Sequence, residues 1–532
     1  MATSPIGRTG ILVLAALMAS SWVALAADSS PKPVEGGTAV LLGGGEIQTL
    51  NPMTNNGPGE VMAGCMVHEG LIEMKEDGTP QPNLAKSWTV SEDRRTYTFD
   101  LVDANWHDGK PFTSADVAYF MTDVTKVGPT TAATIGTKIQ KVETQGDHRV
   151  AVTLSEPYGP FLLMLSYFNS SAILPAHIYK GTNIAANPAS RAPIGTGPFK
   201  FVEWKPGDSV RFAKNENYWR KGLPHLDGIV IRHIPNAGSR FQALKAGEGD
   251  YIYRYYMPSN AISLVKEDPN LRLERSGAPP VLYWAAFNTT RKPFDQKPVR
   301  QALFSVIDRK YIQTVVYSAN GEAATTPFGG KLIPWVAAPE VNFDKLYPNN
   351  VAAANKVLDE AGLKPDSNGI RFTTTITYDS AVAEWLGVAT AIQTAWKPLG
   401  IKVEFRPVER TVLVAQVYQE ANFDITLSTA STYGDPAIGL SRLWLSSFIG
   451  RDLGNPSRYS SPEADALFGK AATLVTLDER AAVYRQLEKV LAEDMPIMAL
   501  YETSSFDAAS KKLHDAWGYA MSGHWSTAWL EK

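Results

Sequence analysis

The sequence is poor in cysteine: its 532 residues include only Cys65. A single cysteine cannot form a disulfide within the chain, so packing and hydrogen bonds alone must stabilise the fold. A free cysteine is most often a small buried side chain. We therefore expect Cys65 to lie buried in a helix.

Long apolar runs are also scarce. The only one near the N-terminus is Ile11 to Ala19, with Arg8 before it and the small-residue pattern Ala24-Leu25-Ala26 after it. This pattern is typical of a secretory signal, predicted to be removed as residues 1–26. The run is shorter than the roughly 20 residues that a membrane-spanning helix needs. Cys65 lies too far from the cleavage site to be a lipid-modified first residue, so we expect a soluble periplasmic protein that is not a lipoprotein.

Positive charge is not in excess, because 51 Lys and Arg residues face 54 Asp and Glu residues, for a net charge of −3. This balance argues against a nucleic-acid partner. Hydrophobic residues make up 44% and charged residues 20% of the chain, which is typical of a globular protein. The length predicts two or more lobes, and the sequence contains no repeat and no flexible linker to join them.

Recognisable catalytic and metal-binding motifs are missing. His107 and Asp108 are adjacent near a strand end, where neighbouring side chains point to opposite faces, so they are interpreted as part of a turn. His68-Glu69 lacks the second histidine of a zinc helix, since Ile72 occupies that position. The glycines 43–45 are followed by Gln48 rather than by the third glycine of a dinucleotide fingerprint. We predict no catalytic residue, no metal and no cofactor.

Periodicity predicts alternating strands and helices. Residues 97–101 and 150–154 alternate as half-buried strands, with a helix between them that begins at the capping pair Thr113 and Asp116. In the second half, strands at 371–378 and 401–408 alternate with helices, the last of which begins at the capping box Thr476 to Glu479. This succession predicts an α/β lobe.

Several segments together resemble one family. They are TLNP (49–52), EGLIE (69–73), NLAKSWTVSEDRRTYTFDL (83–101), WHDGKPFTSADV (106–117), GTGPFKF (195–201), NENYWRKGLPHLDGI (215–229), ALKAGEGD (243–250), VRQALFSVIDRKYI (299–312), NKVLDEAG (355–362) and YRQLEKVLAEDMPIMALYE (484–502). In this order they resemble the family 5 extracellular solute-binding proteins of ABC importers, which include dipeptide-, oligopeptide- and nickel-binding proteins.

The resemblance implies a fold and its partners. The expected fold is α/β, the two-lobed class II periplasmic binding protein fold with an additional α+β domain in the N-terminal lobe. The expected boundaries are 27–67, 192–280 and 502–532 for lobe one, 68–191 for the additional domain and 281–501 for lobe two, with crossings near 283–288 and 498–502. The expected partners are a peptide or other small-molecule ligand, held by hinge closure, and the permease subunits of an ABC transporter in the inner membrane. We expect a monomer.

The resemblance also suggests where the ligand binds. Peptide-binding members carry a tryptophan and, three residues on, an aspartate that pairs with the peptide amine, and the matching positions here are Thr429 and Thr432. A buried ammonium without a carboxylate partner is costly, so we expect a ligand other than a standard free-amine peptide, unless Asp435 substitutes. Another family tryptophan corresponds to Arg410. There a guanidinium either binds an acidic ligand group, as in an opine, an N-blocked or modified peptide or a small acidic sugar conjugate, or is a solvated helix-start residue or a partner of Glu409.

Other candidate contacts are aromatic, since such rings stack on apolar groups or sugars, although core packing is the favoured role for each of them taken alone. They are Trp106, Tyr283, Trp284, Tyr433 and Trp444. Glu46, just after the glycine run, either reaches a ligand amine or is a plain surface acid. The sequence thus favours a binding protein without enzymatic activity. The alternatives are a secreted hydrolase, which needs a catalytic constellation that no motif indicates, and a ligand sensor or folding helper that uses the same cleft.

Overall fold

The computed structural model describes residues 32–55, 57–75, 79–128, 130–167, 171–257, 261–275, 281–317, 321–331, 333–336, 338–380, 382, 384–503, 506–516 and 525–532. The predicted signal segment 1–26 lies outside these residues. Within the described chain, no helix is both long and apolar enough to cross a lipid bilayer.

The strands are β1 Thr38–Gly43, β2 Ile72–Met74, β3 Pro80–Pro82, β4 Ala85–Val90, β5 Thr96–Leu101, β6 Ile139–Thr144, β7 Arg149–Leu154, β8 Phe199–Lys205, β9 Ser209–Lys214, β10 Gly228–His233, β11 Tyr251–Ile252, β12 Leu271–Arg275, β13 Val281–Phe287, β14 Glu322–Ala323, β15 Phe372–Asp379, β16 Ile401–Val408, β17 Ile425–Ser431, β18 Ile497–Thr503, β19 Phe506–Ser510, β20 Leu513–His514 and β21 Trp529–Leu530.

The α-helices are α1 Pro58–Gly64, α2 Ser114–Tyr119, α3 Thr125–Val127, α4 Thr130–Lys138, α5 Phe161–Met164, α6 Ala176–Tyr179, α7 Ala237–Lys245, α8 Ala261–Glu267, α9 Lys297–Ser305, α10 Arg309–Tyr311, α11 Phe343–Leu346, α12 Val351–Glu360, α13 Glu384–Trp396, α14 Arg410–Val414, α15 Pro436–Gly439, α16 Pro462–Thr473 and α17 Leu477–Asp494. Single π-helical turns follow α2, α10 and α14.

Two mixed sheets dominate the architecture. One has seven strands in the order β12-β19-β11-β1-β10-β9-β8, and the other has six in the order β14-β18-β13-β17-β15-β16. A four-stranded antiparallel sheet, β4-β5-β7-β6, is inserted between β1 and β8 of the first. Strands flanked by helices bury their apolar residues on both faces, which explains the long apolar runs in β1, β10 and β13.

Each large sheet has its own hydrophobic core. The buried residues of the first core come from 39–253 and 509–528, and they include the inserted four-stranded sheet. The buried residues of the second core all come from 282–501. The chain changes sheets between β12 and β13 and again between β18 and β19, so the two cores are joined by two covalent connections.

Local predictions from the sequence are largely confirmed. Both capping boxes are present, Thr113 with Asp116 at α2 and Thr476 with Glu479 at α17. Tyr97 is fully buried, as expected from the alternation in its strand, and Cys65 is fully buried at the C-cap of α1. The expected crossing segments 283–288 and 498–502 lie within the six-stranded sheet, and the chain leaves that sheet just before 281 and just after 503.

One buried acid in α17 is unusual. The Glu488 side chain is 1% exposed, and its Oε1 accepts hydrogen bonds from Thr326 Oγ1 at 2.5 Å and from the backbone N–H of Phe328 at 3.4 Å. Within the described residues its Oε2 has no hydrogen-bond partner. Burial raises the pKa of Glu488 from 4.5 to about 8, against the opposing effect of these two hydrogen bonds.

This pKa predicts that stability falls as the pH rises. Between pH 4.5 and pH 8 the unfolded chain loses the Glu488 proton while the folded protein retains it, so rising pH favours unfolding. Glu488→Gln, which stays neutral, should gain at least about 2 kcal/mol of unfolding free energy relative to the unchanged protein over this range. Urea unfolding at several pH values measures the difference. An offset independent of pH would contradict a neutral Glu488.

Candidate functional site

A pocket lies at the carboxyl edge of the seven-stranded sheet. The parallel strands β1 and β10 end together there, with Gly43 paired to His233. Ligands of open α/β sheets characteristically bind outside the carboxyl ends of such strands. The pocket is open to solvent on one side and contains about 300 Å³ of empty space, part of which is open solvent. Its lining consists of Gly43, Gly45, Glu46, Ile47, Gly59, Met62, Trp204, Lys205, Gly207, Asp208, Ser209, Val210, Ile231 and His233.

Glu46 is the acid at this pocket. Its Oε1 accepts a hydrogen bond from the backbone N–H of Gly207 at 3.1 Å, and its Oε2 lies 3.8 Å from His233 Nε2. The Glu46 side chain is 49% exposed. The carboxylate is therefore held in place by the β8–β9 turn and still open to solvent, so it can accept hydrogen bonds from an N–H group of a ligand.

A second set of candidate residues meets at one edge of the six-stranded sheet. The strands β15, β16 and β17 are parallel, and their carboxyl ends carry Asp379, Arg410 and Thr432 respectively. Arg410 Nη1 lies 3.7 Å from Asp379 Oδ2. The Arg410 side chain is 50% exposed and, within the described residues, donates no hydrogen bond. Its guanidinium is thus placed at a strand edge with its donors open to an acidic group.

Tyr283 and Thr429 lie opposite each other on β13 and β17. Tyr283 is half-buried and contacts the rings of Tyr317, Trp385 and Tyr501, with centroid distances of 4.9, 5.7 and 5.3 Å. Tyr317 and Tyr501 stack at 4.2 Å. Tyr283 is therefore one side of an aromatic cluster that sequence reasoning identified only in part.

The loop after β17 is folded into a tight turn. Thr432 is fully buried, and the backbone N–H of Gly434 lies 3.4 Å from its Oγ1. Tyr433 and Gly434 both have positive φ, 50° and 76°. Tyr433 packs against Met74 and Leu163. The structure thus places Thr432 inside the turn and Tyr433 on its surface.

Asp435 is occupied by an internal partner. It is fully buried and forms an ion pair with the equally buried Arg480, whose Nη2 donates to Asp435 Oδ1 at 2.6 Å. The same Oδ1 accepts a hydrogen bond from the backbone N–H of Ala437 at 2.8 Å, capping α15. The sequence allows Asp435 to replace the aspartate that pairs with a peptide amine in other members. In the structure, the charge of Asp435 is already compensated by Arg480.

Three tryptophan candidates lie in core packing rather than at a surface. Trp106 is 2% exposed and donates from Nε1 to Asp116 Oδ2 at 3.3 Å. Trp284 is fully buried. Trp444 is 1% exposed and packs against Phe328. None of the three presents a ring face to a solute in this structure, because large apolar side chains at these positions fill the cores.

His107 and Asp108 have different partners, in keeping with the turn interpretation. His107 Nε2 bonds to the carbonyl of Gly197 at 2.9 Å, whereas Asp108 Oδ2 lies 2.8 Å from His177 Nε2. Burial lowers the pKa of His107 from 6.5 to about 4, so this imidazole is neutral at physiological pH. The pair does not form a dyad.

Sequence reasoning missed His233, Lys205 and Asp208 at the Glu46 pocket. The missing information was the pairing of β1 with β10, which brings segments about 190 residues apart to one edge. The sequence feature that could have identified His233 as a pocket residue is its position at the end of an apolar strand, where α/β proteins characteristically bind ligands.

Comparison with known proteins agrees with this geometry. The family model described as bacterial extracellular solute-binding proteins, family 5 Middle, matches residues 79–450. Heme-binding protein A of Haemophilus influenzae is 29% identical over 479 residues, covering 86% of this chain and 84% of that protein.

Solved structures superpose over nearly the whole chain. AppA from Bacillus subtilis, in complex with a nonapeptide, matches with a TM-score of 0.72 and 27% identity, covering 94% of this chain and 100% of that chain. AgaA from A. tumefaciens R10, in complex with agropinic acid, matches with a TM-score of 0.71 and 25% identity, covering 93% of this chain and 99% of that chain. These comparisons confirm the predicted family and its α/β periplasmic binding protein fold.

The family consists of binding proteins, not enzymes, which agrees with the function predicted from the sequence. The chain belongs to family 5 of the bacterial extracellular solute-binding proteins and is a substrate-binding component of an ABC importer.

Proposed function

We propose that this protein captures a peptide-like solute with an acidic group in a cleft between its two lobes and delivers it to an ABC permease in the inner membrane. It does so as a periplasmic monomer after removal of residues 1–26. The moving parts follow the boundaries expected from the sequence, with 281–501 as one lobe and the remainder, including the additional domain 68–191, as the other.

The observation that supports an acidic ligand is that the Arg410 side chain is 50% exposed and donates no hydrogen bond within the described residues. A guanidinium presents five donors in a planar fork that matches a carboxylate. Within the described residues, the acidic group closest to Arg410 is Asp379, at 3.7 Å, which is longer than a hydrogen bond. Its position at the common edge of β15, β16 and β17 corresponds to the ligand-facing edge of an α/β sheet. A ligand carboxylate there gains charge-assisted hydrogen bonds that Arg410 does not make within the protein.

The loop after β17 argues against a standard free amine at this edge. Thr429 and Thr432 carry no charge, and Asp435 is neutralised by Arg480. An ammonium buried there has no anionic partner, which costs several kcal/mol. Glu46, half-exposed at the other sheet, is the carboxylate still available to a ligand N–H group. The ligand that fits has an acid at one end and a nitrogen donor at the other.

Two relatives show the range of such solutes. AppA was solved with a nonapeptide and AgaA with agropinic acid. Of these two ligands, agropinic acid is the better guide for this chain, because it is not a standard peptide and because Asp435, the acid of the loop after β17, is already paired with Arg480.

A thermal-shift screen tests the proposal. The panel contains agropinic acid, related opines, N-blocked acidic peptides and matched free-amine peptides. A ligand at 100 times its dissociation constant adds about 2.7 kcal/mol to the unfolding free energy, enough for a clear shift in Tm. We expect hits among the acidic non-standard solutes. Hits confined to free-amine peptides would overturn the proposed ligand class, and a hydrolysed hit in mass spectrometry would overturn a pure binding role.

The Arg410 contact is tested by Arg410→Gln. Loss of a charge-assisted bidentate contact should weaken binding of the acidic hit at least tenfold, or about 1.4 kcal/mol. Isothermal titration calorimetry measures the affinity. The control is Arg406→Gln, because Arg406 is an exposed arginine four residues earlier on β16 and should have no effect. Equal affinities for both variants would place Arg410 outside the site.

Asp435→Asn separates a structural role from a ligand-binding role. Removing one partner of a fully buried ion pair leaves Arg480 uncompensated, which should lower the unfolding free energy by about 3–5 kcal/mol. Chemical denaturation without ligand measures the loss, with the exposed Asp452→Asn as a control. A variant of normal stability that no longer binds the hit would show that Asp435 contacts the ligand after all.

A further inference from the structure

A second arginine lies near Arg410. Arg442 belongs to the 3₁₀ turn Ser441–Leu443, in the segment that follows β17 and α15. Its side chain is partly buried, and its Nη1 donates a hydrogen bond to the backbone carbonyl of Leu453. Within the described residues the Arg442 guanidinium makes no other hydrogen bond, so most of its five N–H donors are not used by the protein.

The buried phenol of Tyr418 connects the two arginines. Tyr418 is 3% exposed and lies in the π-helical turn Ala415–Gln419, which continues the helix that begins at Arg410. Burial raises the pKa of Tyr418, and the positive charges of Arg442 and Arg410 oppose this rise. A charge shifts the pKa of another group only when it is near that group, so both guanidiniums lie close to the Tyr418 hydroxyl.

The strands of the six-stranded sheet bring these groups to one edge. Asp379 on β15 lies 3.7 Å from Arg410, and the side chain of Ser428 on β17 is hydrogen-bonded to Tyr418. The strands β15 and β17 are parallel, and both residues lie beyond their paired part, on the carboxyl side. Arg410, Tyr418 and Arg442 are therefore gathered at the edge where an α/β sheet characteristically binds its ligand.

Nearby acids have other partners. Glu409 caps α14 and accepts a hydrogen bond from the backbone N–H of Thr411 at 3.2 Å. Asp452 accepts a hydrogen bond from Gln419 Nε2 at 2.8 Å. Neither carboxylate is among the groups that shift the pKa of Arg442. The protein thus supplies no acid for this guanidinium within its described residues.

Arg442 therefore carries a charge that the protein does not compensate. Burial lowers the pKa of Arg442, and the neighbouring Arg410 lowers it further, against the opposing effect of the Tyr418 and Tyr433 hydroxyls. Two guanidiniums that repel each other are unfavourable in the absence of an anion. An anion bound between them removes this repulsion and gains charge-assisted hydrogen bonds from both.

We infer that Arg442 is a second anion-binding residue beside Arg410, and that the solute presents a doubly negative group there, either two neighbouring carboxylates or one phosphate. The inference rests on the proposed binding of an acidic solute at this edge. Asp379 approaches Arg410 without a hydrogen bond, so both guanidinium forks retain free donors. One carboxylate can face only one fork in the bidentate geometry, and a second acidic group engages the other.

Malonate, inorganic phosphate and acetate are the probes, so the test requires no identified solute. At mildly alkaline pH malonate carries two carboxylates, phosphate is a dianion and acetate is a monoanion of similar size. The Tm is measured against the concentration of each anion, with sodium chloride holding the ionic strength constant, and gives a dissociation constant for each. We expect the unchanged protein to bind malonate or phosphate at least about tenfold more tightly than acetate, and the preferred dianion identifies the acidic group.

Arg442→Gln should bring the dissociation constants for the dianions to within about twofold of that for acetate. Arg442→Lys keeps the charge and loses the planar fork, so it should retain part of the preference and serves if the glutamine variant fails to fold. Arg451→Gln is the matched control. Arg451 is an exposed arginine nine residues later whose guanidinium lies over the Phe448 ring, and its removal should leave the preference unchanged.

Equal affinities for dianions and acetate in the unchanged protein would overturn the inference. A preference that is lost in Arg410→Gln but persists in Arg442→Gln would also overturn it and leave Arg410 as the anion contact. A preference that depends on Arg442, found together with a panel in which no acidic solute binds, would reject the proposed solute class and leave the second anion-binding residue standing. The two proposals can therefore fail separately.

Discussion

The buried ion pair between Asp435 and Arg480 is the interaction on which the arrangement of the second lobe depends. It ties the turn after β17 to the first helical turns of α17, and it does so with no exposure of either side chain. Charges this deep are tolerated only when they are paired and hydrogen-bonded. Asp435 also caps α15, and Arg480 donates to the carbonyl of Ala471 in α16, so three helices are positioned by two side chains.

This pair also occupies the Asp435 carboxylate, the one acid among the expected recognition positions of the loop. Its carboxylate charge is used inside the protein, and the two threonines at the other expected recognition positions are neutral. Arg410 and Glu46, at the edges of the two large sheets, are in contrast about half-exposed. Whether a solute can reach an acidic or basic side chain depends on how deeply that side chain is buried and paired, and not only on its presence in the loop.

Local features could be predicted from the sequence because they depend on neighbours in the chain. The capping boxes and the alternation around Tyr97 are of this kind. Features that depend on pairing between distant segments could not. The sequence allows Trp444 to be a cleft aromatic, and only the fold shows that it packs against Phe328. His233 likewise joins the Glu46 pocket only through the register of β1 and β10.

The two connections between the large sheets have a geometric consequence. They attach to the six-stranded sheet at Val281 and Thr503, and these two residues are paired directly across β13 and β18. These two attachment points are neighbours on adjacent strands, so the line that joins them is short. A relative rotation of the two sheets about that line leaves the pairing of Val281 with Thr503 intact, so the adjacent placement of these two strand ends is compatible with a hinge rotation.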